Sequence, residues 1–472
     1  MNVHRHKKKV TRIAQKIKEY QKASTNKKIR FTHGSTNSTR VQAKEAFHLI
    51  DISTLDEVIE IDTRNKLAIV EPNVPMDKLV DACLAKGFIP KVVMEFPGIT
   101  CGGGVNGGAL EASSFRYGQF NDICTAYELI LGNGELVYAS KNKNTDLYYG
   151  VSGSYGTFAL LTRITLELIP AKSFIHVSFH PVETDSIIRS IVKDFSEYEY
   201  DYLEGIVFDE NNALVLTGQL TNGELIEKLP CKTFSKAIDD WFYLYAEKQL
   251  QKDSITEVLI PVKDYLFRYD RGAFWMGKHA FSEYHIPFNR ITRFLLNPFM
   301  NARTMYKGLH ATNIAQDFFI QDFYLPLSSA QKFLNKSIHK SGIFPVWICP
   351  LKATKTEQKL SPHFLSERTI IDIGLWGKAK GRRKILEVNK EFEKHLKEYG
   401  GRKMFYADSF YSEQEFWKIY DKKWYENLRK KYKADGIFPT IREKVYTKKR
   451  YVVQKRKIIK PMIKALLNVL IR

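Results

Sequence analysis

Apolar residues along this chain fall into two periods. Near the amino end Val10, Ile13, Ile17 and Tyr20 recur every three or four positions among lysines, which predicts a helix with one buried stripe. From residue 31 onward the pattern shortens. Apolar runs at Ala46–Ile50, Leu67–Val70, Cys124–Leu131 and Phe158–Ile169 are separated by turn signals such as Gly132-Asn133-Gly134, and read as strands. Asp77–Lys86 has helical spacing and ends at Gly87. A second zone has strand-like runs at Leu203–Phe208, Ala213–Thr217, Phe344–Cys349 and Ile370–Ile373, with helices at Ser328–His339 and Lys384–Tyr399. The pattern predicts an α/β (α+β) protein in four parts: a basic arm over 1–30, a domain over 31–171, a second over 172–440 and a tail over 441–472. With 472 residues, each of the two domains has enough length for its own core.

Charge changes the picture at the two ends. The net charge is +21, and much of the excess sits in the first thirty and last thirty residues. Such a balance attracts polyanions: nucleic acid, anionic lipid or phosphorylated small molecules. The sequence has no interleaved aromatic and basic motif of a nucleic-acid module, so nucleic acid is not expected as a partner. The five cysteines are scattered without C-x-x-C spacing, and the histidines without metal-ligand spacing. Free thiols in a reducing compartment and no metal are therefore expected. No uninterrupted apolar window reaches the ~18 residues that a membrane-spanning helix requires. The clusters Lys448-Lys449-Arg450 and Lys455-Arg456-Lys457 precede a short, largely apolar stretch after Pro461. That order predicts peripheral, interfacial binding to an anionic membrane surface on its cytoplasmic side. The alternative is an ordinary helix packed on the domain.

The candidate chemistry starts at Gly102-Gly103-Gly104-Val105-Asn106-Gly107-Gly108. A turn with so few Cβ atoms lets backbone N–H groups approach a phosphate closely and permits positive φ. Gly102-x-Gly104-x-x-Gly107 matches the dinucleotide fingerprint as a bare pattern. Its context opposes that assignment, because a Pro/Gly-broken loop, Glu95–Cys101, precedes it and no helix pattern opens at Gly107. A second small-residue loop, His33-Gly34-Ser35-Thr36-Asn37-Ser38-Thr39, lies upstream. Together the two turns would clasp both ends of a pyrophosphate.

An ordered series of segments carries a resemblance. It includes Ile69-Val70-Glu71-Pro72, Gly102-Gly103, Leu110–Ser114 with Tyr117-Gly118, Ile123–Leu129 and Ile169–Lys172. It continues through Gln321-Asp322, Pro345–Pro350, Ile371–Gly374, Tyr406-Ala407-Asp408, Glu415-Phe416-Trp417 and Phe438-Pro439. In these stretches the protein resembles the 24-dehydrocholesterol reductase-like, sterol-reducing members of the vanillyl-alcohol-oxidase-type flavoproteins. The resemblance implies a two-subdomain FAD-binding domain with an α/β cap domain over the substrate. It implies FAD held by Gly34, Ser35, Thr36, Asn37 and Ser38 in the first loop. In the second it implies Thr100, Cys101, Gly102, Gly103, Gly104, Val105, Asn106, Gly107 and Gly108. Glu111, Ala112, Ser113, Ser114 and Tyr117 follow, with Ser113, Ser114 and Tyr117 on the flavin side and Glu111, like Glu128, in structural support. Many relatives attach FAD through a histidine in the first loop. Here Asn37 takes that place, which implies dissociable FAD, with His33 the alternative anchor after a shifted loop.

The implied reaction is reduction of an isolated alkene, a C=C bond in the aliphatic tail of a sterol or in an isoprenoid-like lipid, with NADPH as electron donor. Such an alkene is not electrophilic, so a positioned acid must protonate one carbon as hydride reaches the other. Tyr406, Asp408 and Tyr411 are the candidate catalytic residues, Tyr406 and Asp408 sharing a face if Met404–Tyr411 is a strand. Trp347, Cys349, Trp376 and Trp417 are candidates to line an apolar pocket. The alternative reaction on the same fold is oxidation of an alcohol, sugar or hydroxy acid.

Overall fold

The computed structural model describes residues 2–23, 26–34, 37–40, 46–197, 200–252, 254–312, 314–354, 357–379 and 385–447. Ser35, Thr36 and the tail beyond Thr447 lie outside the described residues. The helical stripe at the amino end is realised as helix Asn2–Lys22, with His6, Val10, Ile13, Ile17 and Tyr20 buried. These apolar side chains join Ile130, Leu160, Ala434 and Phe438 in one cluster, so the helix is pinned between the first sheet and the carboxyl end. Each fully buried Val or Ile contributes ~1.5–3 kcal/mol over an exposed one. His6 adds a polar lock. Its Nδ1 meets Glu71 Oε1 and its Nε2 meets Glu128 Oε1, each at 2.8 Å, and Lys9 Nζ donates to Glu71 Oε2 at 2.9 Å.

Two sheet layers follow. A six-stranded antiparallel sheet runs Val58–Asp62, Leu67–Val70, Leu160–Pro170, Cys124–Ile130, Leu136–Ser140, with Phe88–Pro90 also paired to Leu160–Pro170. A small parallel pair, Ile29–Thr32 with His48–Asp51, stands beside it. An eight-stranded antiparallel sheet orders Thr256–Pro261, Phe174–Glu183, Asn212–Thr221, Tyr202–Val207, Val346–Lys352, Thr369–Gly377, Phe319–Pro326 and Arg402–Lys403. The α+β class with two subdomains is thus the observed one. Among the described residues no helix is long and apolar enough to cross a membrane.

Alternation within the eight-stranded sheet places the chemistry. Phe319, Phe323 and Leu325, Val346 and Ile348, and Ile371, Ile373 and Leu375 face an apolar cluster shared with helices Ile187–Glu197, Leu327–Ser341 and Ile385–Glu398. Successive side chains point to opposite faces. Asp322, Trp347, Asp372 and Trp376 therefore share the other face, turned toward the six-stranded layer.

Two local expectations are corrected. The glycine-rich segment is a short helix, Cys101–Gly107, rather than an open turn, and only Gly108 among its glycines has positive φ, at 70°. Met404–Tyr411 is not a strand; the strand there ends at Lys403, and the residues beyond are turns and irregular backbone.

Candidate active site

The cleft lies between the two layers. A cavity of about 300 Å³ adjoins a wider mouth of about 960 Å³, and the two share Arg30, Phe31, His33, Asn37, Asn73, Thr100 and Tyr306. On the six-stranded side the inner wall is Thr100, Gly102, Gly103, Asn106 and Gly107, backed by Pro72 and Leu160. The glycines are needed for close approach. A Cβ on Gly102 would sit 2.7 Å from Pro72 Cβ, and one on Gly104 would sit 2.7 Å from the Met94 side chain. Gly102 N–H donates to the Pro72 carbonyl at 2.7 Å, and Thr100 Oγ1 accepts from Gly103 N–H at 3.2 Å. The wall is thereby drawn tight, with backbone rather than side chain at the cavity surface.

Three cations converge at this end. Arg30 leaves the first strand, Arg40 follows the first loop, and Lys444 comes from the last described helix, Ile441–Val445. Arg40 Nη1 donates to the Lys444 carbonyl at 2.5 Å, its guanidinium lies 5.4 Å from the Tyr155 ring centroid, and its Nε is buried without a hydrogen-bond partner. Burial and the Arg30 and Arg40 charges push the Lys444 ammonium down to about 7. Burial and Arg40 push Arg30 down to about 10. Mutually repelling cations with an orphaned guanidinium N–H, beside a wall of bare backbone, fit a bound diphosphate.

The opposite end is aromatic and acidic. Phe274, Tyr306, Trp347 and Trp376 line it with Phe96. Phe96 and Phe274 pack edge to face at 5.6 Å, Phe274 and Trp376 at 5.0 Å. Trp376 Nε1 donates to Asp322 Oδ1 at 2.9 Å. Burial pushes the Asp322 carboxyl up to about 6, against that hydrogen bond and the approach of the Tyr406 hydroxyl. Tyr406 lines the same end, its ring 6.2 Å from Trp376, its hydroxyl buried without a well-formed hydrogen bond. Burial and the Asp322 charge hold its phenol well above the ordinary tyrosine range, so it stays protonated at neutral pH. Behind them, Asp372 is fully buried with both oxygens unpartnered, and burial with the Asp322 and Glu95 charges pushes its carboxyl well above the usual carboxylate range. Glu95, in the cavity wall, is likewise raised by burial and by Glu111.

The sequence-derived candidates separate into groups. Asn37, Ser38, Thr100, Gly102, Gly103, Asn106 and Gly107 line the inner cavity, and Gly34 the mouth. Ser38 Oγ also donates to the Tyr406 carbonyl at 2.7 Å, and Thr39 N–H to the same oxygen at 3.1 Å. The first loop therefore positions Tyr406. Cys101, Gly104 and Val105 turn into the core, and Gly108 closes the short helix.

Glu111, Ala112, Ser113, Ser114 and Tyr117 do not line the cavity. Ser113 Oγ donates to the Lys91 carbonyl at 2.7 Å and to Glu111, Ser114 Oγ accepts from Glu111 N–H at 2.9 Å, and the Ala112 carbonyl accepts from Leu203 N–H at 2.9 Å. They form a seam between the two sheets, where burial pushes Glu111 up to about 7. Of the three catalytic candidates only Tyr406 reaches the cleft. Asp408 Oδ1 accepts from Thr447 Oγ1 at 2.9 Å, and Tyr411 is buried beside Glu393. Trp347 and Trp376 line the pocket. Cys349 is buried in the sheet with its thiol donating to the Glu111 carbonyl at 3.3 Å, and Trp417 stacks near Tyr425 at 5.4 Å.

The family profile described as FAD binding domain matches residues 9–140. The protein is 28% identical over 419 residues to a Delta(24)-sterol reductase of Macaca fascicularis, covering 87% of this chain and 80% of that protein. It is 29% identical over 438 residues to a Delta(24)-sterol reductase of Pisum sativum, covering 85% and 77%. A Cytokinin dehydrogenase 7 of Oryza sativa matches over 131 residues at 29% identity, 27% of this chain and 25% of that one. Along most of its length the chain is thus similar to Delta(24)-sterol reductases, and with the matched FAD binding domain it is a FAD-dependent oxidoreductase. In this FAD-dependent oxidoreductase the glycine wall and the Arg30, Arg40 and Lys444 cluster suit the diphosphate, and the aromatic end suits an apolar reactant. Sequence reasoning did not assign Arg30, Arg40, Glu95, Tyr155, Asp322 or Lys444 to the cleft that they line. Arg30 and Lys444 sit in stretches whose charge reads as surface excess. Asp322 had one available signal, a carboxylate inside the otherwise apolar strand Phe319–Pro326.

Proposed function

We propose that this flavoprotein reduces an isolated C=C bond in the aliphatic tail of a sterol or in an isoprenoid-like lipid, with NADPH as electron donor and dissociable FAD. In this proposal residues 31–171, joined by Arg30 and Lys444, hold FAD, and residues 172–440 supply the substrate end. The protein works peripherally at the cytoplasmic face of a membrane. The observation that carries the reaction is the Tyr406 hydroxyl, free of a well-formed hydrogen bond and beside Asp322 in an aromatic box. When bound, FAD supplies the hydride. Phe274, Trp347 and Trp376 hold the apolar tail by its faces and exclude water. Tyr406 gives its proton to one alkene carbon as hydride reaches the other, and Asp322 returns a proton to the phenolate. The names of the long-matching relatives support the substrate class.

The experiment is anaerobic. NADPH should bleach the yellow protein, and a Δ24-sterol should restore the colour while alcohols, sugars and hydroxy acids do not. Bleaching by an alcohol or sugar, with no response to the sterol, would instead assign the protein to the dehydrogenase reaction.

A further inference from the structure

The excursion between strands Thr256–Pro261 and Phe319–Pro326 carries a surface for which the reaction has no use. Helix Arg290–Leu295 leaves Ile291 72%, Phe294 50% and Leu295 65% exposed. Spacing of three and four positions puts the three side chains on one face of the helix. The segment is not loosely attached. Arg271 Nε donates to Asn297 Oδ1 at 2.8 Å, and Gly272 N–H donates to the Met300 carbonyl at 2.7 Å. Phe288 and Leu296 pack against the core from the same stretch. One side of the excursion is thus anchored while its outer side presents large apolar groups to solvent, which marks an interaction site.

Charge says which partner suits it. The sequence has no carboxylate between Glu283 and Asp317, yet it has Arg290, Arg293, Arg303 and Lys307 there. Arg290 and Lys307 are exposed, while Arg303 pairs with Asp77 at 2.8 Å and Arg293 with Asp240 at 3.5 Å. The following helix, Ala302–Thr312, brings Arg303, Tyr306 and Lys307 to the mouth of the cleft. The apolar face, its cationic collar and the cavity mouth therefore lie on consecutive elements.

We propose that this face docks on an anionic lipid bilayer. Ile291, Phe294 and Leu295 enter the boundary between headgroups and acyl chains, and Arg290 and Lys307 pair with lipid phosphates. The arrangement delivers the mouth of the cleft to the surface in which an apolar reactant dissolves. A second copy suits the face less well, because a two-fold contact sets the cationic collar against itself. The protein's own tail meets the same objection, since Lys448–Arg450 and Lys455–Lys457 precede its apolar stretch. The purpose of docking rests on the sterol-reduction reading, but docking itself does not, so the two fail separately in a test without substrate.

The full-length FAD-loaded protein is sedimented with phosphatidylcholine vesicles with and without phosphatidylserine. The variant Ile291→Ser/Phe294→Ser/Leu295→Ser is compared with the parent and with a truncation ending at Thr447. The triple variant should keep its flavin spectrum and lose at least tenfold in partitioning onto phosphatidylserine vesicles. Binding equal to the parent's, or binding lost only with the tail, would overturn the proposal. So would a fall in solution mass from two copies to one in the triple variant with vesicle binding retained. As a measurement independent of lost binding, Phe294→Trp should gain fluorescence that brominated lipids quench. Absence of quenching on vesicles that bind the protein would also refute it.

Discussion

At the scale of single residues, the cleft turns on groups whose proton affinity comes from their surroundings. Tyr406 is a phenol that cannot ionise at neutral pH, and Asp322 beside it is raised to about 6 by burial. Tyr406→Phe should lower the rate of alkene-driven flavin reoxidation by ~10²–10⁴, while NADPH bleaching proceeds as in the parent; stopped-flow absorbance separates the two half-reactions. The sign for Asp322 follows from its raised value. In the proposed reaction protonated Asp322 resupplies Tyr406, so turnover should be highest below pH 6 and fall as pH rises through about 6. In Asp322→Asn that inflection should vanish from the pH profile. Asp408, also a carboxylic acid and close to Tyr406 in sequence, would leave the profile in place when changed to Asn, since it faces Thr447.

At the scale of elements, sequence reasoning succeeds where a helix buries one stripe and where a strand is a continuous apolar run. Helix Asn2–Lys22 buries the very positions that its spacing selects, and strands such as Cys124–Ile130 and Thr369–Gly377 grow from the apolar runs. It fails at Phe319–Pro326, where Gln321 and Asp322 interrupt the apolar run although every residue is buried. The short helices between residues 242 and 312 are likewise invisible, because five to eleven residues span too few turns for a period to emerge. Glycines 102 to 104 form a helix despite poor propensity because close packing on Pro72 and Met94 leaves no room for side chains.

The amino-terminal helix carries a pH-dependent lock. Burial alone would lower the His6 imidazolium, but hydrogen bonds and charges of Glu128 and Glu71 outweigh it and raise the group above 6.5. A raised cation stabilises the fold fully below its unfolded value and loses that contribution as pH rises through its folded one. Parent protein should therefore melt above His6→Gln by the equivalent of about 1–3 kcal/mol at pH 6. The gap should narrow toward pH 9; equal gaps across that range would show that His6 acts by packing alone.

At the scale of the whole molecule, segments near the two ends of the described chain meet at one cationic cavity. Arg30 and Lys444 belong to stretches more than four hundred residues apart, and Lys28 Nζ pairs with Glu443 at 2.8 Å nearby. Lys444 is held at about 7 in the unliganded cleft by burial and two guanidinium charges. A diphosphate there raises it again, so FAD binding takes up a proton above pH 7 and FAD affinity falls as pH rises from 7 to 9. Titration calorimetry in buffers of different ionisation enthalpy should register that uptake at pH 8 in the parent. In Lys444→Met the uptake should disappear and affinity should be lower but flat with pH.

The linear sequence by itself determined the α+β class, the position of the backbone-lined wall and the candidate aromatic residues Tyr406, Trp347 and Trp376. Those rest on local rules: period, side-chain absence and ordered resemblance from one segment to the next. Only the tertiary structure decided that Asp322, rather than Asp408, stands beside Tyr406, and that Arg30, Arg40 and Lys444 share one cavity. It also turned Ser113, Ser114 and Tyr117 into a seam between sheets. Such pairings join strands and loops far apart in sequence. Desolvation and charge–charge coupling exist only once the intervening water has been excluded by the fold.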